Sequence, residues 1–472
     1  MTPAVSGGLS GTGDILLRGG IVVTLTGLLE ADIHIVDGTI NNFQERGASV
    51  AAADVVDVSG LTLLPGGIDT HTHLREPGYT QKEDITTGTR AAAAGGYTTV
   101  FGMPNVNPPT NTVTRYLAVL ELYRAKSLVD FNHNPSPTVV AEVPGLADAG
   151  AAGFKVYMIE DTGRDYPHIP GVGVHDHGQL LEIAEAVAAT GRPLMVHPHD
   201  QDLMGVIERR SWDRGERDYR AYAKAFASYG GIIWDSATSF LVRLQEATGV
   251  KMHVLHVKTP RMAAIIRASK EQGADVTAEL NPVAVFLCNE WENIERLGPY
   301  ALSTWTGPNA SDHLWDALRD GTIDVIGTDH APHLREEKEI GWTDMWKAAG
   351  GVPQIQHALP LFLTAVNEGH ISLERFVDLF ATAPARRFGL YPKKGALQVG
   401  SDADIVAVDM SADAVIRESE VLSKCGWTPF DGRTVRGMPV HTLVRGRFVM
   451  RDGRVIGEPG YGRHAVPVPG QA

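Results

Sequence analysis

The chain has 472 residues, of which 43% are hydrophobic and 21% charged, so it can bury the core of one large domain and a smaller one. Its formal net charge of −14 argues against a surface for nucleic acid or anionic membrane, since such surfaces need clustered Lys and Arg. Two cysteines, Cys288 and Cys425, are too few for a disulfide framework or a thiolate metal cage. No apolar run reaches the roughly 18 to 20 residues of a membrane span, so we expect a cytoplasmic protein that acts on small molecules.

The two ends of the chain share a β-rich character. The first sixty residues contain short apolar runs broken by Gly and Asp, such as "DILLRGGIVVTL" and "ADIHIVDGTINNF". The C-terminal part is similar and holds the turn dipeptide Asp452-Gly453, which predicts a hairpin. We therefore expect residues 1–64 and 391–472 to form one small β-sandwich domain from both termini.

Between these ends, apolar strands alternate with helical patterns. Eight segments predict strands: "GGIDTHTHL", "YTTVFGMPN", "LVDFNHNPS", "AGFKVYMIE", "PLMVHPHD", "KMHVLHVKT", "ADVTAELNP" and "IDVIGTDHAPH". Helical stretches such as "HGQLLEIAEAVAATG", "PRMAAIIRASKEQG" and "SDHLWDALRDG" end at Gly, as helices often do. This alternation predicts an α/β fold in which residues 65–390 form a (β/α)8 TIM barrel. In that fold the chemistry lies at the C-terminal ends of the strands.

Imidazoles and one carboxylate lie late in these predicted strands. His71 and His73 project to the same side, because side chains alternate between the two faces of a strand. His197 and His256 end two further strands, and Asp329 lies near the end of the last one. Four neutral imidazoles and a carboxylate suit zinc or a similar first-row divalent ion. A single H-x-H motif is often structural, but the whole set at the strand ends of one barrel predicts a metal site.

Lys155 in "AGFKVYMIE" is unusual in this company, because metal ions repel a protonated ammonium group. If the cations and apolar walls lower its pKa from about 10.4, the free amine could react with CO2 to give a carbamate. A carbamate is an anionic ligand with two oxygens, and it could bridge two metal ions. The predicted binuclear site has His71, His73 and Asp329 on one ion, His197 and His256 on the other, and carboxylated Lys155 between them.

Several segments together resemble a known family. "GGIDTHTHLREPG", "FGMPN", "GFKVYMIE", "HVLHVKT", "IDVIGTDHAPH" and "VGSDADIVAVD" are similar to motifs of the cyclic amidohydrolases: dihydroorotase, allantoinase and hydantoinase. Among these the motifs resemble dihydroorotase most. The resemblance implies a metal-bearing barrel with a β-sandwich from the termini, and two Zn²⁺ ions bridged by N-carboxylated Lys155. It also implies hydrolytic opening of a small cyclic amide by a homodimer or homotetramer.

The implied reaction is attack of water on the ring amide. A water that bridges two zinc ions becomes hydroxide near neutral pH, because one zinc alone lowers the pKa of water from about 15.7 to about 7. One ion would polarise the scissile carbonyl as this hydroxide attacks. Asp329, the predicted catalytic residue, would take the proton of the attacking hydroxide and pass it to the departing ring nitrogen.

Three further residues match the dihydroorotase pattern. In dihydroorotases the Arg after H-x-H-L, the Asn of M-P-N and the His of H-A-P-H hold the substrate carboxylate. Arg75, Asn105 and His333 stand at the matching positions of this sequence. A guanidinium group suits a planar carboxylate through paired hydrogen bonds, so the resemblance implies a substrate with an acidic group. The alternative for Arg75 is a structural ion pair with its neighbour Glu76.

Other segments depart from dihydroorotases. The chain has "NPVAVFLCN" where the family commonly has P-H-H-L, "TWTGPNASDHL" where dihydroorotases have N-P-P-L-R, and His199 where H-x-E is usual. Loops at this end of a barrel decide specificity, so the reaction transfers to this chain more readily than the substrate does. Ring opening of another cyclic amide, of the allantoinase or hydantoinase (dihydropyrimidinase) type, is therefore an alternative.

Two more alternatives concern the reaction itself. One is a metal-free, non-catalytic scaffold of the kind seen among dihydropyrimidinase-related proteins that have lost their ligands, and the intact ligand set disfavours it. The other is a mononuclear deaminase on the same barrel, which would not use a lysine carbamate, so Lys155 disfavours it. We expect a metal-dependent hydrolase that cleaves a carbon–nitrogen bond in a cyclic amide or ureide.

Overall fold

The computed structural model describes residues 14–48, 50, 54–160, 170–301, 305 and 307–468. In the predicted specificity segment "TWTGPNASDHL", Thr304 and Thr306 lie outside the described residues. Residues 1–13, 49, 51–53 and 469–472 of the predicted sandwich domain lie outside them as well.

Seven short strands come first: β1 (Ile15–Arg18), β2 (Ile21–Thr24), β3 (Gly27–Glu30), β4 (Asp32–Val36), β5 (Thr39–Gln44), β6 (Asp54–Asp57) and β7 (Thr62–Pro65). β5, β4, β1 and β6 pair in this order as a four-stranded sheet, and β2, β3 and β7 belong to a second sheet. Buried residues such as Leu17, Ile33 and Leu63 form an apolar cluster of their own. This core is distinct from the large cluster that fills the rest of the molecule.

Eight parallel strands follow: β8 (Gly67–Thr72), β9 (Tyr97–Gly102), β10 (Asp130–His133), β11 (Phe154–Tyr157), β12 (Pro193–His197), β13 (Lys251–Val254), β14 (Val276–Leu280) and β15 (Val325–Ile326). They pair in two runs, β8 to β10 and β11 to β15. The runs meet where the Lys155 N–H donates to the Pro135 carbonyl oxygen at 3.0 Å, and where Thr72 pairs with His330. Each of the eight strands lies within a predicted segment, although most are shorter, and the TIM-barrel fold class is confirmed.

The α-helices of the described residues are α1 (Ile85–Ala94), α2 (Val113–Lys126), α3 (Val143–Asp148), α4 (His177–Ala188), α5 (Gln201–Asp213), α6 (Tyr219–Phe226), α7 (Ile232–Thr248), α8 (Pro260–Glu271), α9 (Pro282–Phe286), α10 (Trp291–Leu297), α11 (Ala310–Arg319), α12 (Arg335–Glu339), α13 (Ala358–Asn367), α14 (Leu373–Val377) and α15 (Ala383–Arg387). The predicted ends of α4, α8 and α11 are confirmed, because Gly191, Gly273 and Gly321 follow them with positive φ. Over the residues described, no helix combines the length and apolar character needed to cross a bilayer.

The last strands, β16 (Ile405–Val415), β17 (Thr434–Val444), β18 (Arg447–Arg451) and β19 (Arg454–Val455), complete the second sheet. Its order is β19-β18-β17-β16-β7-β2-β3, so strands from both ends of the chain share one sheet, as predicted. The hairpin of β18 and β19 turns at Asp452 and Gly453, which both have positive φ as a two-residue turn requires. The domain boundaries at residues 64 and 390 stay a prediction.

The connection between β16 and β17, residues 416–433, leaves the sheet and reaches the barrel; we call it the strap. Arg433 donates to the Phe286 carbonyl oxygen at 2.9 Å, and Gln356 donates to the Glu420 carbonyl oxygen at 2.9 Å. Phe286 is the last residue of α9, which directly follows β14. The strap therefore packs at the end of the barrel where the parallel strands terminate.

Candidate active site

The predicted metal ligands lie late in barrel strands or just after them, except for Lys155, which is the second residue of β11. Along the chain they are His71, His73, Lys155, His197, His256 and Asp329. The sequence pattern predicts His256 and Asp329 within strands, but the structure places them in the loops after β13 and β15. Their φ values of 42° and 48° explain the difference, because left-handed backbone is incompatible with an extended strand.

Asp329 joins the two histidines of the H-x-H motif. Its Oδ1 lies 3.2 Å from Nε2 of His71 and 3.2 Å from Nε2 of His73. The three side chains come from the ends of β8 and β15, which the pairing of Thr72 with His330 holds together. One ligand atom from each of the three side chains lies within 4.8 Å of the other two, so one ion could contact all of them.

The second ring nitrogen of each histidine is already bonded. Nδ1 of His71 lies 2.7 Å from Oε1 of Glu279, and Nδ1 of His73 lies 2.8 Å from Oδ1 of Asn105. These oxygens accept, so Nδ1 carries the proton and the lone pair of each Nε2 faces Asp329. Nε2 of His71 has no hydrogen-bond partner within the described residues. A cation would relieve the repulsion between these electron-rich atoms, so the residues fit a divalent metal ion.

A second pair of imidazoles lies beside the first. Nδ1 of His197 is 3.3 Å from Nε2 of His256, and the two ring centroids are 4.6 Å apart. Nε2 of His256 is also 3.9 Å from Oδ2 of Asp329, and its ring centroid is 5.3 Å from that of His71. The two groups of ligands are therefore contiguous, and Asp329 lies where they meet.

Lys155 is fully buried, and its Nζ has no hydrogen-bond partner among the residues that the structure describes. The Nζ lies 4.4 Å from the centroid of the Tyr157 ring. Burial lowers the pKa of Lys155 to about 7, although the carboxylates of Asp329 and Glu279 act in the opposite direction. Much of the amine is then uncharged at neutral pH, which is the form that reacts with CO2. An unpaired amine in this position fits an N-carboxylated lysine.

The charge states of the other ligands also suit metal binding. Burial lowers the pKa of His73 to about 4, so its imidazole is neutral at pH 7. Burial alone would raise the pKa of Asp329, but His71, His73 and Lys155 outweigh it and hold that pKa well below its ordinary value. Neutral imidazoles and an ionised carboxylate are the forms that bind a metal ion.

The three residues predicted to hold a substrate carboxylate are brought together only in part. Nη2 of Arg75 lies 2.9 Å from Nε2 of His333, and Nε of Arg75 donates to the Pro332 carbonyl oxygen at 3.1 Å. Asn105 lies apart from this pair in its bonding, because its Oδ1 accepts from His73. Arg75 and His333 therefore form one polar unit, while Oδ1 of Asn105 orients His73, a predicted metal ligand, and the contact of Asn105 with a substrate stays a prediction.

The alternative role of Arg75 is a structural ion pair, but its neighbour Glu76 has other partners in the structure. Glu76 pairs with the Nζ of Lys126 and accepts from the N–H of Ile85 at 3.2 Å. The Arg75 side chain is buried, and desolvation lowers its pKa from the ordinary value. A buried guanidinium beside the metal ligands is suited to pair with an anionic group of a ligand.

Two acidic side chains next to the predicted metal ligands were not predicted from the sequence. Burial alone would raise the pKa of Glu279, but His71 and His253 outweigh it and lower the pKa to about 2, so this partner of His71 is a carboxylate. Asp69 accepts from the main-chain N–H groups of His71 and Thr328, at 3.1 Å each. Both are acidic residues inside apolar strands, a pattern that already indicates buried polar partners.

We expect Glu279→Gln to weaken zinc binding about tenfold to a hundredfold, because His71 would lose the anionic partner that orients its ring. Titration of metal-free protein with zinc against a competing chelator measures this. Glu208→Gln is the matched control, since Glu208 is also buried but accepts from Trp346 at 3.1 Å, outside the set of ligands. Equal zinc affinities in the two variants would show that Glu279 has no effect on His71 as a ligand.

A second acidic cluster is already neutralised by cations of the protein. Nζ of Lys394 lies 2.6, 3.0 and 2.6 Å from carboxylate oxygens of Asp130, Asp402 and Asp404. Arg445 also pairs with Asp130. Because a lysine occupies the space between the three carboxylates, this cluster is a buried ion-pair network and not a metal site.

Known proteins resemble this chain in sequence and in structure. The Amidohydrolase family profile matches residues 62–449. An L-hydantoinase of Paenarthrobacter aurescens is 34% identical over 458 residues, which cover 95% of this chain and 97% of the relative. An allantoinase of Rubrobacter xylanophilus is 33% identical over 452 residues, covering 94% and 96%, and proteins named dihydroorotase match as well. The solved structure of an L-hydantoinase (dihydropyrimidinase) from Arthrobacter aurescens has a TM-score of 0.90 at 32% identity, over 96% of this chain and all of the other.

Proposed function

We propose, from the premise that this chain belongs to the amidohydrolase family, that it opens a cyclic amide or ureide by hydrolysis at a centre of two divalent metal ions. The chain is a hydrolase of cyclic amides, the class to which hydantoinases, allantoinases and dihydroorotases belong. One observation carries the binuclear proposal. Six side chains from five strand ends converge, and a buried lysine amine without a hydrogen-bond partner among the described residues is one of them.

The proposed ligands are His71, His73 and Asp329 for one ion, His197 and His256 for the other, and N-carboxylated Lys155 for both. Zinc is the proposed ion, because imidazole and carboxylate donors suit it. When bound, the two ions would lower the pKa of a water molecule and polarise the scissile carbonyl. Glu279 and Asn105 would keep two of the imidazole rings turned toward the centre.

Asp329 is the proposed carrier of the proton. Its carboxylate is ionised and lies where the two groups of ligands meet, so it can take a proton from the attacking water. The carbonyl carbon gains the oxygen of this water, and the bond from that carbon to the ring nitrogen breaks. Asp329 then returns the proton to the nitrogen, and the product is a single ring-opened acid.

We propose that the ring carries an acidic group, with dihydroorotate as one candidate. Arg75 uses its Nε and Nη2 on Pro332 and His333, which leaves Nη1 unbonded among the described residues and available to a carboxylate. Nζ of Lys82 also lies 3.4 Å from Nδ1 of His333, but Glu337 pairs with it at 2.5 Å, so Arg75 is the group proposed to bind the acidic group. Allantoin and hydantoins are the second candidates, favoured by the similarity to an allantoinase and to hydantoinases.

Arg75→Ala should raise KM for dihydroorotate about tenfold to a hundredfold, because a charge-assisted hydrogen bond to the carboxylate is lost. Dihydrouracil has the same ring without the carboxylate, so its KM should change little. Steady-state kinetics with both compounds measure the difference. If KM rises by the same factor for both substrates, Arg75 does not bind a carboxylate, and the proposal that the substrate carries an acidic group is wrong.

Ring opening of a panel of compounds tests the proposed reaction. The panel contains dihydroorotate, allantoin, hydantoins, dihydrouracil and cyclic imides. We expect zinc-loaded protein to open at least one of them and protein stripped by a chelator to open none. Release of ammonia from an exocyclic amine would favour the deaminase instead, and a protein that binds no metal would favour the scaffold.

A cytoplasmic location and a homodimeric or homotetrameric assembly stay predictions.

A further inference from the structure

The strap contains a buried tryptophan, Trp427, that contacts the loop after β15. Pro332 and His333 of this loop contact Arg75. We propose that Trp427 is a positioning residue for substrates with an acidic group, and that it acts by holding the main chain at Pro332 and His333. This inference rests on the proposed function, because it takes Arg75 to bind the carboxylate of the substrate.

The polar end of Trp427 is bonded to this loop. The side chain is 1% exposed, and its Nε1 donates to the carbonyl oxygen of His333 at 2.7 Å. The ring packs edge-on against Tyr300, with 5.0 Å between the centroids. An indole that is buried, packed against another ring and bonded through its N–H has little freedom to move. The strap thus sets the position of the His333 carbonyl group.

The same short stretch of main chain fixes the guanidinium group of Arg75. Its Nε donates to the Pro332 carbonyl oxygen at 3.1 Å, and its Nη2 lies 2.9 Å from the imidazole of His333. The other nitrogen of that imidazole is 3.4 Å from Nζ of Lys82 and 3.5 Å from a carboxylate oxygen of Glu337. A shift of this main chain would therefore move the guanidinium group of Arg75, which binds the substrate carboxylate in the proposed function.

The strap is anchored near the start of this loop as well. The hydroxyl of Ser423 donates to the carboxylate of Glu83, which is fully buried. The same carboxylate oxygen lies 3.4 Å from Nε2 of His330, which directly follows Asp329, although this nitrogen has no hydrogen-bond partner among the described residues. The strap is thus bonded to the loop through Trp427 and contacts the start of the loop through Glu83.

The metal ligands have anchors that do not include Trp427. His71 is bonded to Glu279 and His73 to Asn105, and neither bond involves the strap. Loss of the indole N–H would leave a buried carbonyl group unpaired and let the main chain around it relax. We therefore expect the binding of an acidic group to suffer more than the ring-opening step.

The test compares dihydroorotate with dihydrouracil in Trp427→Phe, which keeps an aromatic ring and removes the N–H. The ratio of kcat/KM for the two compounds should fall about tenfold, through KM for dihydroorotate, because a misplaced donor loses much of its hydrogen bond. This ratio does not depend on the folded fraction of the protein, so a loss of stability alone cannot change it. Trp346→Phe is the matched control and should keep the wild-type ratio, since Trp346 is another buried tryptophan that donates a hydrogen bond, to Glu208.

The positioning role is overturned if Arg75→Ala lowers the ratio but Trp427→Phe keeps it within about twofold of wild type. The proposed function would then stay intact. A ratio that is unchanged in both variants would show that the proposed acidic group is wrong, and the inference would fall with it. A lower ratio in Trp427→Phe and in Arg75→Ala, with Trp346→Phe like wild type, is the result that supports the role of the strap.

Discussion

Lys155→Ala is expected to lower kcat/KM by about a thousandfold or more and to reduce the bound metal below two ions per chain. The Lys155 amine has no hydrogen-bond partner within the described residues, so its loss breaks no hydrogen bond among them. The substitution would remove the anionic ligand shared by both ions, and with it the paired centre that activates water. Metal content, steady-state kinetics and Tm measure the effect, and Tm of the metal-free protein should stay close to wild type.

Bicarbonate provides a control for this result. Wild-type protein prepared without CO2 should bind zinc poorly and gain activity when bicarbonate is added, because carboxylation of Lys155 consumes CO2. Lys155→Ala should not respond to bicarbonate. Lys347→Ala controls for the change in charge, since that lysine is 62% exposed. Two tightly bound ions and wild-type turnover in Lys155→Ala would rule out the carbamate bridge.

Asp329→Asn is the second substitution with a large expected effect, a fall in kcat of about a thousandfold. The amide keeps the shape of the side chain, but it cannot take up a proton at neutral pH. It also lacks the negative charge that faces His71 and His73 across 3.2 Å. The assay is run with zinc in excess, so that weaker metal binding does not account for the loss.

Asp235→Asn serves as the control for this substitution. Asp235 accepts from the hydroxyl of Thr259 at 2.6 Å and is not one of the metal ligands, so its loss should leave kcat unchanged. Turnover of Asp329→Asn within about tenfold of wild type would show that another group carries the proton.

The positions of the proposed metal ligands could be predicted because they are local features of each strand. His71 lies in β8 and His73 directly follows that strand, Lys155 lies within the short apolar strand β11, and His197 ends β12. The barrel topology then brings these strand ends together. The strand boundary near Asp329 could not be predicted, since a non-glycine residue takes left-handed backbone only where its surroundings impose it.

The supporting contacts could not be predicted, because each joins distant parts of the chain. Glu279 and His71 are 208 positions apart, and Trp427 and His333 are 94 positions apart. Asn105 shows the same limit: its motif implies contact with a substrate carboxylate, which stays a prediction, but it does not reveal the hydrogen bond between its Oδ1 and His73. A motif identifies the side chains at a strand end, but the partner of each hydrogen-bonding group depends on tertiary packing.

The number of metal ions bound per chain tests the central claim most directly. The protein is stripped of metal, reloaded with zinc in the presence of bicarbonate, freed of unbound zinc and analysed by mass spectrometry of the elements. Two zinc ions should bind per chain, and ring-opening activity should rise as the second ion binds. Saturation at one ion with full activity, or no bound ion at all, would contradict a paired metal centre built by Lys155 and its neighbouring ligands.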